Sequence, residues 1–367
     1  MPDAEVIPLG THGRPGRGTG STKPSSAART LATPGPRKKA VPRADERPEQ
    51  PSDRGPQVAP PEPPATPADP ADLADDWLQA LTAAAVEVFG EQWEPRAAEL
   101  LAFLRRRLTG EYEVDEYGFD AELTQRFLLA AVRPLAEKWF RVEVRGAENI
   151  PAEGGALLVS NHSGTVPMDG LVTMVSVHDR TGRNLRPLGA DLVFRLPFIG
   201  ELARKSGVTL ACNEDAQRML SGGELVGVWP EGFKGIGKPY SERYKLQRFG
   251  RGGFVSAAIR TGVPIIPCSV VGAEETYPLI GNLPALARLL GMPYLPITPF
   301  FPWLGPLGMV PLPSKWLIEL GEPIRTDTYD EGAADDPMLV FNVTDQVRET
   351  IQQTLYSLLM QRRSVFY

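Results

Sequence analysis

Cysteine and histidine are scarce in this sequence, with two cysteines and three histidines in 367 residues. Cys212 and Cys268 lie in separate apolar runs and match no metal or redox spacing, so we expect free thiols that fill core space in a reducing, cytosolic setting. His12 lies near the N-terminus and His178 near the end of a predicted helix. Only one further histidine remains, which is too few for a group of histidines and cysteines that binds zinc. The sequence therefore predicts no zinc cluster and no other bound metal.

Long apolar runs are absent as well. No window of about 18 residues is apolar and free of charge and proline, so the sequence predicts no membrane-spanning helix. The N-terminus carries charge but lacks the apolar segment of a signal peptide. We therefore expect neither a spanning helix nor a cleaved leader.

Large apolar residues are almost missing before Pro70, where Pro, Gly, Ser, Ala and charged residues dominate. Such a composition buries too little apolar surface to offset the entropy of ordering, so residues 1–70 are predicted to be a disordered, proline-rich basic tail. Residues 1–44 hold eight basic and two acidic residues, while the whole chain carries a net charge of −6. The tail either touches an anionic surface weakly or is a solvated linker; no nucleic-acid partner is predicted.

Residues 71–140 are predicted to form a helical preface. Apolar residues recur at helical spacing over 72–89, 96–108 and 120–139, and Pro134 should kink the last helix. The apolar side of that helix either packs on the core or lies at a membrane surface, and core packing is favoured. The stretch 111–120 has five acids in ten residues and is predicted to be an exposed turn.

From residue 141 onward, strand-like runs alternate with helical segments. Strands are predicted at 141–145, 156–160, 185–189, 208–212, 225–229, 264–271 and 316–321, and helices at 170–178, 214–221, 252–260, 284–290 and 338–362. The alternation predicts an α/β fold, a mainly parallel central sheet flanked by helices, over residues 141–367.

A buried strand at 156–160 stops at His162, which is followed by Asp169. The carboxyl ends of parallel strands are where ligands bind in open α/β sheets. A histidine there can abstract a proton near neutral pH, and a nearby carboxylate can orient it. The alternative is structural, with Asp169 as the N-cap of the helix that begins at Gly170.

A second polar loop follows the strand at 225–229. Glu231 and Gly232 open a glycine-rich stretch that carries Lys234 and Lys238, which offer positive charge to an anion. The spacing from Gly232 to Lys238 is that of a phosphate-binding P-loop. Pro239 stands where that motif needs a serine or threonine, so we exclude a nucleotide hydrolase.

Three ordered blocks resemble the glycerolipid acyltransferase superfamily: Asn161-His162 with Asp169, then Trp-Pro-Glu-Gly at 229–232, then 263–272. The resemblance covers roughly residues 140–325 and is strongest to the monoacylglycerol/diacylglycerol-acyltransferase-like group of actinobacteria.

The resemblance implies transfer of a fatty acyl group from acyl-coenzyme A, or an acyl carrier protein, to a hydroxyl of a glycerolipid such as a lysophospholipid or an acylglycerol. It implies no cofactor beyond acyl-coenzyme A as co-substrate. His162 would be the general base, with Asp169 as its partner. The residues implied to bind substrate are Asn161, Ser163, Gly164, Glu231, Gly232, Lys234 and Lys238.

Two features depart from the family pattern. Six residues separate His162 from Asp169 instead of the usual four, so Asp169 reaches the histidine only through a longer loop. The family block that usually ends in a phosphate-binding arginine corresponds to 207–213, which has none. A neutral acylglycerol therefore remains an alternative acceptor. Four basic residues follow closely, however, and offer charge in place of the missing arginine: Arg243, Lys245, Arg248 and Arg251.

The segment 292–313 is apolar and aromatic but broken by prolines, which forbid a helix or a central strand. It is either a buried irregular loop or a surface that enters lipid. We expect a peripheral protein on the cytoplasmic, inner face of the cell membrane. Two alternatives remain: a non-catalytic lipid-binding protein with the same fold, and acyl transfer to a non-glycerol lipid alcohol.

Overall fold

The computed structural model describes residues 93–110, 112–196, 198–250, 252–289, 294–330 and 332–366. The tail predicted over 1–70 and the helix predicted over 72–89 lie outside these ranges. The described residues fall into two compact units that divide between Glu113 and Val114. The first contains helix α1, Trp93–Thr109. The predicted boundary between a preface and a catalytic domain stays a prediction.

The second unit is built on a sheet. Its strands, in chain order, are β1 Glu143–Arg145, β2 Ala156–Ser160, β3 Leu185–Gly189, β4 Thr209–Leu210, β5 Leu225–Val228, β6 Ile265–Val271, β7 Gly281–Asn282, β8 Pro296–Ile297 and β9 Leu317–Leu320. The main sheet has seven strands in the order β1-β9-β6-β2-β5-β3-β4. Strands β6, β2, β5, β3 and β4 run parallel, whereas β9 pairs antiparallel with β6. A small separate sheet pairs β7 with β8.

Helices cover both faces of this sheet. They are α2 at 121–139, α3 Met168–Thr181, α4 Asp191–Arg195, α5 Ile199–Lys205, α6 Asn213–Ser221, α7 Phe233–Ile236, α8 Gly253–Thr261, α9 Pro284–Leu289 and α10 Pro337–Gln361. Within α2, α-helical turns alternate with π-helical segments at Thr124–Leu129 and Leu135–Trp139, the second directly after Pro134. The predicted fold class, a mainly parallel sheet flanked by helices, is confirmed.

The sheet divides the core into two layers because successive side chains of a strand point to opposite faces. Leu157 of β2 joins the layer beneath α6, α8 and α10, while Leu158 joins the layer beneath α2 and α3. Strand β2 is buried on both faces, which explains its unbroken apolar sequence. Leu129 and Val132 of α2 are buried in the second layer, so this helix packs on the core as expected. The face that packs differs from the predicted apolar side, since Phe127 and Trp139 are exposed.

The acidic stretch 111–120 is predicted to be an exposed turn, and the structure agrees only in part: residues 112–114 and 116 are exposed and a turn lies at 116–117, but two of its acids, Asp115 and Asp120, are held by the protein. Asp115 forms an ion pair of 2.7 Å with Arg186 of β3, whose side chain is almost fully buried. Asp120 is buried and caps α2 by accepting a hydrogen bond from the backbone N of Leu123. A buried arginine needs a carboxylate to balance its charge, and the ion pair with Asp115 holds the stretch against β3.

Both cysteines are free, as predicted. Cys268 lies fully buried in β6, where desolvation raises the pKa of its thiol to about 12. Cys212 is only partly buried and donates a hydrogen bond to Asp215. Neither thiol is therefore suited to act as a nucleophile.

Candidate active site

His162 stands just beyond the carboxyl end of β2, between the parallel neighbours β5 and β6. The loops that leave β2 and β5 meet at this edge and bring together the two polar sequence blocks. We call this side of the sheet, where the carboxyl ends of β2, β5 and β6 meet, the catalytic edge.

Asp169 reaches His162 despite the six intervening residues. The Nδ1 atom of His162 lies 2.7 Å from Oδ2 of Asp169, and the aspartate side chain is fully buried. A carboxylate at this position favours the tautomer with hydrogen on Nδ1, which leaves Nε2 free to accept a proton. The histidine side chain remains 15% exposed, so a substrate can approach it.

Asp169 is held by the backbone on both of its oxygens. Oδ2 also accepts a hydrogen bond from the backbone N of Ser163 at 2.9 Å, and Oδ1 accepts one from Gly170 at 2.9 Å. Asp169 lies in the first turn of α3, whose positive end favours a carboxylate. The N-cap position belongs to Pro167, so the alternative assignment of Asp169 as the helix N-cap is wrong.

The residues around His162 have positioning tasks. The side chain of Asn161 is fully buried and pairs twice with the backbone of Val270, which fixes the end of β2 against β6. The hydroxyl of Ser163 is buried and has no partner among the described residues. Gly164 has φ +79°, and a Cβ there would approach the carbonyl oxygen of Ala273 to 2.9 Å. These contacts shape the turn, whereas Asn161 has no surface for a ligand.

Glu231 holds, from the β5 side, the loop of residues 161–167 between β2 and α3, which we call the catalytic loop. Its Oε1 accepts a hydrogen bond from the backbone N of His162 at 2.9 Å, and its Oε2 accepts one from Gln247 at 2.6 Å. The residue is 4% exposed. One carboxylate thus links the histidine to two segments that are distant in sequence, and substrate contact is at most a secondary task for it.

Lys238 is buried and its charge is matched inside the protein. Its Nζ lies 3.0 Å from Glu274 and 3.6 Å from Glu231, and it donates to the carbonyl of Lys245. Burial raises the pKa of the Glu274 carboxyl to about 7 even with the lysine beside it. Lys238 is therefore not placed to meet a phosphate, while Lys234 is exposed.

Two glycines let the β5 loop approach His162. Gly232 adopts φ +55° and ψ −142°, a conformation open essentially to glycine alone, and faces open space. A Cβ on Gly235 would lie 2.6 Å from the carbonyl oxygen of His162. Gly235 was not among the predicted site residues, although the glycine-rich composition of 232–237 is the signal that points to it.

Sequence reasoning also missed Trp229, Gln247 and Glu274. The ring of Trp229 lies with its centroid 6.0 Å from that of His162, so it walls one side of the imidazole. Its position beside the Pro-Glu-Gly block was the available signal. Nothing local marks Gln247, which acts through its backbone, while Glu274 is one of two acids in an otherwise apolar stretch.

An open groove of about 480 Å³ begins at Glu231. Phe233 and Phe249 give it an apolar lining, and Lys234 and Arg248 bring positive charge. Within the described ranges, no group of three or more His, Cys, Asp or Glu is arranged to hold a metal ion. The candidate site thus pairs His162 with a buried carboxylate, and Glu231, which holds the backbone of His162, borders an amphipathic groove.

Known proteins share this sequence pattern. An acyltransferase family model matches residues 141–271, which contain both polar blocks. An "uncharacterized protein" of Mycobacterium tuberculosis is 56% identical over 288 residues, 78% of this chain and 80% of its own length. The human "DGAT1/2-independent enzyme synthesizing storage lipids" is 29% identical over 231 residues, 62% of this chain and 68% of that protein.

A solved structure, the 1-acyl-sn-glycerophosphate acyltransferase of Thermotoga maritima, covers 67% of this chain and 85% of its own, with 18% identity and a TM-score of 0.44. That likeness is too low to support an argument about the site. The sequence relatives and the family match are sufficient: this chain belongs to the glycerolipid acyltransferase superfamily.

Proposed function

We propose that the protein transfers a fatty acyl group from acyl-coenzyme A, or an acyl carrier protein, to a hydroxyl of a glycerolipid. The observation that carries the proposal is the 2.7 Å contact between His162 Nδ1 and the buried Asp169 at the catalytic edge. An unactivated hydroxyl is a poor nucleophile, and a base within hydrogen-bond reach corrects this.

The proposed reaction needs one proton acceptor and returns the same proton. Nε2 of His162 takes the proton of the acceptor hydroxyl while its oxygen attacks the thioester carbonyl carbon. The tetrahedral intermediate then expels the thiolate, which takes the proton back from the imidazolium. Asp169 stabilises the imidazolium between the two steps. No cofactor or metal is part of this proposal.

The geometry also bears on the non-catalytic alternative. That alternative rested on the longer spacing between His162 and Asp169, which would have separated base and acid. Asp169 is held by Ser163 and Gly170 in contact with the histidine, and this contact supports a catalytic pair over that alternative.

The positive charges of Lys234 and Arg248 support the proposal that a substrate carries phosphate. Both are exposed and line the groove at Glu231, where phenylalanines provide an apolar wall for an acyl chain or a pantetheine arm. Phosphate on either a lysophospholipid or coenzyme A fits this chemistry.

A neutral acylglycerol is the second candidate acceptor. The block at 207–213 contains no arginine, and the human relative is named for the synthesis of storage lipids. If the acceptor is neutral, the charges of Lys234 and Arg248 serve the phosphates of the donor.

We also propose that the protein binds peripherally to the inner face of the cell membrane. No helix in the described part of the chain is long and apolar enough to cross a bilayer. Residues 276–314 leave the sheet after β6 and contain one charged residue, Arg288. Among the residues of this segment that the structure describes, ten large apolar side chains are exposed: Ile280, Leu283, Leu286, Leu289, Phe300, Trp303, Leu304, Leu307, Met309 and Val310.

The apolar segment lies beside the catalytic loop. Thr165 donates a hydrogen bond to the carbonyl of Tyr277 at 2.8 Å, and Tyr294 donates one back to the carbonyl of Thr165. Exposed apolar surface thus borders the site on the side of this segment, as a substrate that arrives from lipid requires.

The test is release of coenzyme A thiol from palmitoyl-coenzyme A with a panel of acceptors: lysophosphatidate, other lysophospholipids, monoacylglycerol, diacylglycerol and a long-chain alcohol. We expect acceptor-dependent release by the wild type and a loss of about 10²- to 10⁴-fold in His162→Ala, the range for a general base. Thermal unfolding of the variant checks that it folds.

Lipid product analysis identifies the acceptor and separates a glycerolipid from another alcohol. Equal thiol release by the wild type and His162→Ala would disprove the role of His162 as base. Absence of release with every acceptor and with both donor types would disprove the proposed activity.

A further inference from the structure

A second groove, of about 430 Å³, lies where the chain returns from α10 to the root of the apolar segment. Four basic residues line it: Arg243, Lys245, Arg362 and Arg363. We call it the C-terminal groove. It shares no lining residue with the groove at Glu231, so the structure separates Arg243 and Lys245 from Arg248, which the sequence groups together. Arg251 lies outside the described residues.

The groove carries net positive charge. The charge of Arg362 is balanced inside the protein, since its side chain is 5% exposed and pairs with buried Glu275 at 3.1 Å. Arg243 is exposed and stacks on the ring of Tyr240 at 4.5 Å, while exposed Arg363 forms no ion pair with any residue that the structure describes. Lys245 has only an exposed contact of 3.4 Å with Glu242. A cationic groove on a chain of net charge −6 indicates an anionic ligand.

The walls of the C-terminal groove are continuous with the apolar segment 276–314. Arg362 donates to the carbonyl of Lys315, and the hydroxyl of Tyr244 accepts a hydrogen bond from Gly272. Gly272 and Lys315 flank the two ends of that segment. The groove therefore adjoins the two points at which the apolar segment leaves and rejoins the main sheet.

The opposite wall of the groove is apolar. Leu359 lines it together with Tyr356, which is 52% exposed, and Met360 follows on α10 at 88% exposed. A site with cations on one side and apolar atoms on the other matches a lipid headgroup joined to its chains, and matches a free inorganic anion less well.

We propose that the C-terminal groove binds the phosphate headgroups of anionic phospholipids and makes membrane association selective for an anionic bilayer. This inference rests on the proposed peripheral membrane association and adds the class of lipid.

The experiment is co-sedimentation of the full chain with phosphatidylcholine vesicles, with and without phosphatidylglycerol. Arg243→Gln combined with Arg363→Gln should weaken binding to the anionic vesicles about thirtyfold, at about fivefold for each basic residue near the surface. Binding to pure phosphatidylcholine should change little. Both residues are exposed, so folding should be unaffected.

The matched control removes the same charge from the other edge of the sheet, with Arg180→Gln in the last turn of α3 and Arg325→Gln beside the start of β6. An equal loss in this control, or no loss in the groove variant, would overturn the proposal. Displacement from anionic vesicles by soluble coenzyme A at constant ionic strength would overturn it as well, because the groove would then hold a nucleotide phosphate.

Acyl transfer measured with substrates in neutral detergent micelles keeps the two proposals separate. We expect the groove variant to retain wild-type activity there. If the wild type is inactive in micelles but binds anionic vesicles through Arg243 and Arg363, the acyl-transfer proposal fails and the lipid-binding proposal stands.

Discussion

Asp169 is the residue on which the candidate chemistry depends, because one buried carboxylate orients His162 and pins the turn through Ser163 and Gly170. An asparagine keeps the shape and an oxygen for the backbone, but its amide can donate to Nδ1. The imidazole would then carry its hydrogen on Nε2 and could not accept the proton of the acceptor.

We predict that Asp169→Asn lowers kcat by about 10²- to 10⁴-fold, with a smaller change in KM for acyl-coenzyme A. A glycerolipid analogue with a thiol in place of the acceptor hydroxyl provides the control, since a thiol loses its proton far more readily than an alcohol and depends less on a base. The loss should be markedly smaller with this analogue. An equal loss with both acceptors would indicate damage to the fold of the site.

At the scale of elements, the catalytic loop after β2 is held by a chain of buried charges. Glu231 accepts a hydrogen bond from the backbone of His162. Lys238 lies between Glu231 and Glu274 and forms an ion pair with each, and Glu274 lies just before the apolar segment. Two carboxylates share one lysine here. Burial, together with that imbalance, is the physical origin of the raised pKa of Glu274.

The pH dependence of stability should report this cluster. The pKa of Glu274 lies at about 7 in the folded protein against an ordinary value of 4.5, so the folded state binds more protons between these values. The free energy of unfolding therefore falls as pH rises through this window, by about 3 kcal/mol at most for this group.

Glu274→Gln should remove that fall, so the variant gains stability relative to the wild type between about pH 5 and about pH 8. Urea unfolding at the two pH values measures the difference. Parallel behaviour of the two proteins would contradict the assignment of the raised pKa to Glu274.

At the scale of the whole molecule, apolar and cationic surfaces collect at the catalytic edge of the sheet. The segment 276–314 supplies a large group of exposed apolar side chains, including Trp303 and Leu307 at 72% exposed each. Tryptophan is favoured at the interface between lipid and water. An active site bordered in this way receives a lipid acceptor without first moving it through water.

Trp303→Ser combined with Leu307→Ser should reduce sedimentation with neutral and anionic vesicles alike, because buried apolar area contributes regardless of headgroup charge. Met338→Ser combined with Phe341→Ser is the matched control, since these side chains are also exposed, at 67% and 56%, but lie on α10 outside the segment. Unchanged binding of the Trp303 variant would make the segment a lid or a surface for another partner.

Much of the fold was predictable because hydrophobic periodicity is a local property of the chain. The seven strands of the main sheet and the five helices predicted from residue 170 onward appear where the apolar pattern places them, within a few residues. The short helices α4, α5 and α7 were not predicted. The reversal of β9 against β6 was not predictable, since strand direction depends on the path of the connecting segments. The ion pair of Asp115 within the acidic stretch was not predictable, because its partner, Arg186, lies in a distant strand.

The sequence by itself determined the α/β class, the superfamily and the identity of His162 as the candidate base, since each is written in short contiguous blocks. Only the tertiary structure decided that Asp169 contacts His162 across six intervening residues. It also decided that Lys238 forms ion pairs with Glu231 and Glu274, and that Arg243 and Arg248 line separate grooves. Contacts of this kind depend on how loops from different strands close at one edge of the sheet. Spacing along the chain does not encode that closure.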